Sequence, residues 1–203
     1  MTPDKQSESG WQTLLKEKQF NDLLLEWNKK INLVSRKKSD VFDLIEDSKL
    51  FFEAINFTLG VKILDLGTGG GFPGIVIAIH HPEAKLTLMD SIQKKINVVS
   101  DIVKKMNLAN VNVICARAEE ISQKPDHKNK YDYVVARSVA VLQDLAKLSK
   151  DLLKPLGKLI AVKGGDIKGE ISKTKRLIFV NNIKIVNKAD RRIITIEFKS
   201  LLR

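Results

Sequence analysis

The rhythm of apolar positions changes near residue 60. Over residues 11–34, Trp11, Leu14, Leu15, Leu24, Trp27 and Ile31 fall mostly at three- and four-residue intervals with charges between them, which predicts an amphipathic helix. A second helix is predicted from about Ser39 to Ile55, burying Val41, Leu44, Ile45, Phe51, Phe52 and Ile55, with Ser39 or Asp40 as its N-cap. Residues 1–60 therefore form a helical cap ahead of a core over 61–203, the two making one structural unit.

From Val61 the pattern shortens to apolar runs alternating with helical stretches, which predicts βαβ units and a mostly parallel sheet with helices on both faces. Val61, Ile63, Leu64 and Leu66 form the first strand, and Ile75, Val76, Ile77 and Ile79 the helix after it. Further strands are predicted at Lys85 to Met89, Val111 to Cys115, Tyr131 to Ala136 and Lys158 to Val162. A helix from Ser91 carries Ile92, Ile96, Val99, Ile102, Val103 and Met106. Another runs through Val141, Leu145, Leu148 and Leu152 and is stopped by Pro155 and Gly157. Ile183 to Val186 and Ile193 to Phe198 form an antiparallel hairpin at the sheet edge.

The turn after the first strand holds the densest chemistry. Gly67, Gly69, Gly70 and Gly71 permit positive φ and close approach to a ligand, and Pro73 suits the first turn of the following helix. Strand, glycine turn and helix N-terminus together favour polar or anionic ligand groups and suit a nucleotide-type cofactor. A dinucleotide fingerprint also exists at Gly69, Gly71 and Gly74, with Asp90 about 20 residues on. The register that opens directly off the strand is instead Gly67, Gly69, Gly71, which puts Phe72 where a dehydrogenase needs its third glycine. No second catalytic domain follows to hold a hydride acceptor.

Charge adds a partner class. Residues 146–203 carry 15 Lys/Arg against 5 Asp/Glu, while residues 1–60 carry 9 against 10. A basic excess confined to one third of the chain suggests a phosphate-rich partner, since each neutralised phosphate releases counterions. A Lys-rich solvated surface is the plain alternative. No apolar run approaches the ~20 residues of a membrane span, and the N-terminus lacks a signal-peptide pattern. The single cysteine, Cys115, lies in an apolar run and is assigned to core packing; a reducing cytoplasm suits it. His80 and His81 adjoin on one helix without a third clustered ligand, so they suggest a helix C-terminus and no metal. Trp11 and Trp27 are assigned to the core.

Asp65-Leu66-Gly67-Thr68-Gly69-Gly70-Gly71 resembles the glycine loop of Rossmann-like S-adenosylmethionine-dependent methyltransferases. Taken with EWNKKINLVS at 26–35, LMDS at 88–91, ARAEE at 116–120, VARSVA at 135–140 and AVKGG at 161–165, the chain resembles the 16S ribosomal RNA methyltransferase G family, also called glucose-inhibited division protein B. The resemblance covers about Phe20 to Phe198 and implies S-adenosylmethionine as cofactor. It implies methyl transfer to N7 of guanine 527 of 16S rRNA, in free RNA, a small ribosomal subunit or its assembly intermediate, by a monomer. By the same resemblance Gly67 and Phe72 line the cofactor with Gly69 and Gly71 allowing close approach. Asp90 takes the ribose hydroxyls, Ala118 and Glu119 flank the adenine, and Arg137 reaches both cofactor and base. Leu44 stands where family members often carry a histidine before Asp-Ser, which puts any RNA contact of that histidine in doubt.

The residues agree with that chemistry by omission. A pyrimidine C5 methyltransferase needs a cysteine nucleophile, and an exocyclic-amine enzyme typically has an Asn/Asp-Pro-Pro-aromatic loop where this chain has Arg137-Ser138-Val139-Ala140. Guanine N7 has a free in-plane lone pair and loses no proton, so proximity and alignment suffice. Arg137 suits the O6/N7 edge of guanine, with an ion pair to Asp132 or Glu119 as its structural alternative. Lys163 ends the fifth strand on the same sheet edge and is a candidate RNA contact. Transfer to a small molecule or protein, and a non-catalytic RNA-binding module, are the competing functions.

Overall fold

The structure is a computed structural model and describes residues 5–137 and 140–199, with side chains from Gly10 onward. Ser138 and Val139 of the fourth-strand loop lie outside the described residues. The elements run α1 (Lys5–Asn28), α2 (Phe42–Lys49), a 3-10 turn (Leu50–Glu53), β1 (Lys62–Leu66), α3 (Gly74–His80), β2 (Lys85–Asp90), α4 (Gln93–Lys105), β3 (Val111–Cys115) and α5 (Ala118–Ile121). They continue with β4 (Tyr131–Arg137), α6 (Leu142–Ser149), β5 (Leu153–Gly164), α7 (Lys168–Lys175), β6 (Val180–Lys188) and β7 (Arg191–Phe198).

The strands form one seven-stranded sheet in the order β3-β2-β1-β4-β5-β7-β6. Strands β1 to β5 pair in parallel and the β6–β7 hairpin pairs antiparallel, as the alternating runs predict. The core is two clusters on opposite faces, and the period-two geometry of a strand explains why. In β1, Ile63 packs with Phe20, Leu24, Ile45, Ile75 and Ile102 from the cap, α3 and α4. Its neighbours Leu64 and Leu66 turn the other way, to Leu142, Leu145 and Ile171 of α6 and α7. The cap thus shares the core of the sheet. The strand order reverses between β1 and β4, and at such a switch point the carboxyl ends of the strands open a crevice.

Several boundaries differ from the sequence expectation. The first helix ends at Asn28, whose Oδ1 accepts the Leu33 and Val34 amides at 2.8 and 3.0 Å and so turns the chain out of the helix. The second helix starts at Phe42 after an N-cap at Val41, with Asp40 Oδ1 accepting the Phe42 amide at 3.3 Å from one position earlier, and tightens into the 3-10 turn before Ile55. Pro73 is the N-cap of α3 and follows a cis peptide bond, so it precedes the first helical turn. Helix α6 ends at Ser149, and Pro155 and Gly157 lie inside β5, where the register shifts between Tyr131 and Tyr133 and Leu156 has φ of +68°. An irregularity of this kind accommodates proline in a strand. Helix α7 was not expected; its Lys-rich sequence buries only Ile171 and Thr174.

Two core assignments are corrected. Trp11 is 69% exposed, with Leu14 and Leu15 exposed beside it, and the buried positions of α1 begin only at Glu17 and Phe20. Trp27 does pack against the core and donates its indole N–H to Asp101 at 2.8 Å. Cys115 is exposed at the carboxyl end of the edge strand β3, beside Asp90 in register. Cys115 shares its face with Val111 and Val113, which pack on the α4 side, but as the last residue of the strand it lies beyond that cover.

Candidate active site

The glycine turn takes the register that opens directly off β1. Gly67, Gly69 and Gly71 have φ of +77°, +58° and +100°, which side chains with a Cβ rarely adopt. Gly74 does a different job: a Cβ there would lie 2.0 Å from Leu88 Cδ2 and 2.7 Å from Asp65 Oδ2, so glycine lets α3 seat against β1 and β2.

Most of the turn's amides are already committed. Gly67 and Thr68 donate to the Met89 carbonyl at 2.8 Å each, Gly69 donates to Asp90 Oδ2 at 3.0 Å, and Gly71 and Phe72 donate to the Thr68 carbonyl at 2.8 and 3.0 Å. The turn therefore offers a ligand closely approachable backbone, with few free N–H groups for a phosphate. This revises the expectation of an anion-favouring cradle.

A cleft of about 440 Å³ opens above this turn, within the ordinary range for a cofactor pocket. It brings together Gly67, Gly69, Asp90, Ala118, Glu119 and Arg137 of the residues expected from sequence. Gly71 and Phe72 sit behind its wall. A Cβ on Gly71 would lie 2.5 Å from Ile75 Cδ1, and Phe72 is 3% exposed and packs on Phe20 with ring centroids 5.0 Å apart. Phe72 reaches the site through Arg137, whose guanidinium lies 4.7 Å from its ring centroid.

Asp90 is 8% exposed and held from two sides: Oδ2 takes the Gly69 amide and Oδ1 the Ile92 amide at 3.0 Å, with Lys95 Nζ at 3.9 Å. Lys95 also lines the cleft and went unnoticed in the sequence, although it stands one turn into the helix that follows Asp90. Asp65, at the end of β1, is fully buried. Its Oδ2 accepts the Gly74 amide at 2.9 Å, while Oδ1 and Thr68 Oγ1 make no hydrogen bond of ordinary geometry. Burial pushes the Asp65 carboxyl up to about 7, against the opposing pull of the nearby Thr68 hydroxyl, the Gly74 amide and the Arg137 charge.

Arg137 ends β4 and is half-buried. Among the described residues it makes neither a hydrogen bond nor an ion pair, so the alternative of a pairing with Asp132 or Glu119 is not realised; Asp132 pairs with Lys154 at 2.8 Å instead. Burial holds the guanidinium below its ordinary range, offset in part by the fields of Asp47 and Asp65. A semi-buried guanidinium that is unpaired among the described residues is available to a polar or anionic group entering the cleft.

Lys163 is turned inward. It donates to the Ala140 carbonyl at 2.9 Å and pairs with Glu170, whose other contact is the Leu142 amide at 2.7 Å, and its side chain is 12% exposed. It braces β5 against the start of α6. The histidines likewise have local partners: His80 meets Glu17 at 2.6 Å and His81 meets Glu83 at 3.0 Å. Among the described residues no three His, Cys, Asp or Glu side chains gather as metal ligands, and no helix is long and apolar enough to cross a membrane.

This architecture is that of the Rossmann-like methyltransferases. A SAM-dependent O-methyltransferase from Thermotoga maritima aligns with TM-score 0.63 at 16% identity, over 89% of this chain and 72% of that one. A SAM-dependent methyltransferase from Aquifex aeolicus aligns with TM-score 0.58 at 17% identity, over 78% and 92%. Sequence narrows the class to a family. The family described as rRNA small subunit methyltransferase G matches residues 14–194. The chain is 39% identical to the ribosomal RNA small subunit methyltransferase G of Desulforamulus reducens over 87% of its length and 74% of the relative. It is 40% identical to the protein of that name from Bacteroides thetaiotaomicron over 80% of each. The chain belongs to the rRNA small subunit methyltransferase G family.

Proposed function

We propose that this protein transfers a methyl group from S-adenosylmethionine to N7 of a guanine, guanine 527, in 16S rRNA, as a monomer with no covalent enzyme intermediate. The observation that carries the reading is the Arg137 guanidinium, unpaired among the described residues, at the mouth of a cleft walled by Gly67, Gly69, Asp90, Ala118 and Glu119. When bound, S-adenosylmethionine supplies an electrophilic methyl carbon, and the guanine N7 lone pair displaces the sulfur with no proton lost.

The cleft residues fit that cofactor. Bare backbone at Gly67 and Gly69 admits the methionine side, and the free lone pairs of the Asp90 carboxylate accept ribose hydroxyls. Ala118 gives the adenine a flat neighbour while Glu119 accepts from its amino group. The committed amides of the turn favour a phosphate-free cofactor over a dinucleotide, whose pyrophosphate seeks several open N–H groups. Arg137 orients the base through O6 and leaves N7 open, so the enzyme's contribution is alignment and exclusion of water. The basic last third of the chain supplies the attraction for rRNA.

The test is transfer of labelled methyl groups to purified small subunits, to free 16S rRNA and to small-molecule or protein acceptors, over a salt series. Label entering rRNA, with an apparent affinity that falls steeply with salt, supports the reading. Salt-insensitive label in a small molecule or protein contradicts it.

A further inference from the structure

A second cleft, of about 560 Å³, adjoins the first at the same carboxyl edge of the sheet. Its walls include Leu44, Asp47, Arg137, Val162, Gly165 and Arg191, and among the described residues Arg137 is the one common to both clefts. One guanidinium therefore stands between a cofactor-sized space and a second space of similar volume.

The second cleft has the chemistry of a purine pocket with one acceptor group. Leu44 and Val162 are aliphatic walls. Gly165 has φ of +70° and open space where a Cβ would be, so a flat ring can approach its backbone. Asp47 sits on α2, held by Arg191 of β7 through Nε at 2.9 Å and Nη2 at 2.8 Å. Both contacts fall on Oδ2, which leaves Oδ1 uncommitted on a side chain that is 21% exposed. The ion pair fixes the carboxylate's direction without exhausting its acceptor capacity.

We propose that this second cleft holds the acceptor guanine and that Asp47 reads its N1–H and 2-amino edge. The assignment rests on the guanine-N7 reading and adds the residue that selects the base. O6 lies between N1 and N7 on the purine rim. A guanine with N1–H and N2 on Asp47 thus presents O6 to Arg137 and N7 beyond it, toward the cofactor cleft. Adenine has an acceptor at N1 and no 2-amino group, so it leaves the carboxylate facing a lone pair with no donor between them, and a site built to bond a donor discriminates against a base that lacks it. Arg191 is a positioning residue that acts through Asp47.

The test compares methyl transfer by wild-type protein and Asp47→Asn, using reconstituted small subunits that carry guanosine or inosine at the target position. Inosine keeps O6, N7 and N1–H and lacks only the 2-amino group. The expected result is that kcat/KM for guanosine drops roughly ten- to hundredfold in the variant. Wild type should prefer guanosine to inosine, a preference that shrinks toward unity in Asp47→Asn, while S-adenosylmethionine affinity by calorimetry stays at the wild-type value. A merely structural role lowers both substrates alike and leaves the preference intact, which overturns the assignment, as does wild-type kcat/KM in the variant. Arg191→Lys, which keeps a cation beside Asp47, is expected to retain the preference if Asp47→Asn proves unstable; loss of the preference at full cofactor affinity contradicts the positioning role. Wild-type label outside 7-methylguanosine overturns the guanine-N7 reading itself, and this assignment with it.

Discussion

The carboxylate of Asp90 accepts the amide of Gly69 at 3.0 Å, tying the glycine turn after β1 to the end of β2. The same group caps the Ile92 amide ahead of α4, so one side chain sets two walls of the cleft. Asp90→Ala leaves both amides without this partner and is expected to cost about 1–3 kcal/mol in denaturant unfolding. Affinity for S-adenosylmethionine should fall at least about tenfold by calorimetry, the loss of a charge-assisted bond to the cofactor. Gly69→Arg should abolish binding outright by filling the cleft. Wild-type affinity in either variant shows the cofactor to lie elsewhere.

Gly74→Ala probes packing beneath the turn. The added methyl meets Leu88 Cδ2 at 2.0 Å and Asp65 Oδ2 at 2.7 Å, so α3 must lift off β1. An overpacking cost of about 1–3 kcal/mol is expected in urea unfolding, with weaker cofactor binding at full occupancy of the fold. An unchanged midpoint contradicts the close approach.

Asp65 makes stability depend on pH with an unusual sign. Its carboxyl is raised in the folded state from the usual 3.8 to about 7, so the native protein binds the extra proton between those values. Stability from this group is full below the unfolded pKa and declines as pH rises through the folded one, on the order of 1 kcal/mol per pH unit within the window. Asp65→Asn removes the charge and keeps an acceptor for Gly74. Melts between about pH 4 and pH 8 should show a flatter profile than wild type and a relative gain at the alkaline end. Parallel profiles contradict the shift.

Arg137→Ala separates recognition from folding. Because the guanidinium makes no ion pair or hydrogen bond among the described residues, its loss forfeits only the contact with Phe72 and should cost under about 1 kcal/mol. Methyl transfer to rRNA should fall at least about a hundredfold, in line with removal of an orienting charged contact. Turnover at the wild-type rate makes Arg137 a structural residue.

The sheet was legible because its strands are covered on both faces, and a doubly buried strand has few apolar alternatives: Ile63 and Leu64 point to different clusters yet both must be apolar. The cleft was legible at Gly67, Gly69, Asp90 and Arg137, which lie at or just past the carboxyl ends of their strands. Elements that depend on tertiary contact were not. Helix α7 carries too few apolar positions to announce itself. Pro155 resembles a helix stop until the bulge in β5 is seen. Lys163 has the sequence position of an RNA contact, and only the fold discloses Glu170 beside it. Trp11 and Cys115 share the same cause: periodicity gives a face but not whether anything covers it. Asp47 was one acid among ten in the first 60 residues, and its meaning depends on Arg191 of β7, 144 residues away.

The central claim is that the two clefts flanking Arg137 bring a methyl donor to guanine N7. Its most direct test is nucleoside mass analysis of 16S rRNA after small subunits lacking the modification are incubated with the protein and isotopically labelled S-adenosylmethionine. The account predicts label in 7-methylguanosine at a single site, absent with Arg137→Ala. Label in any other nucleoside, or none in RNA while another acceptor is methylated, contradicts it.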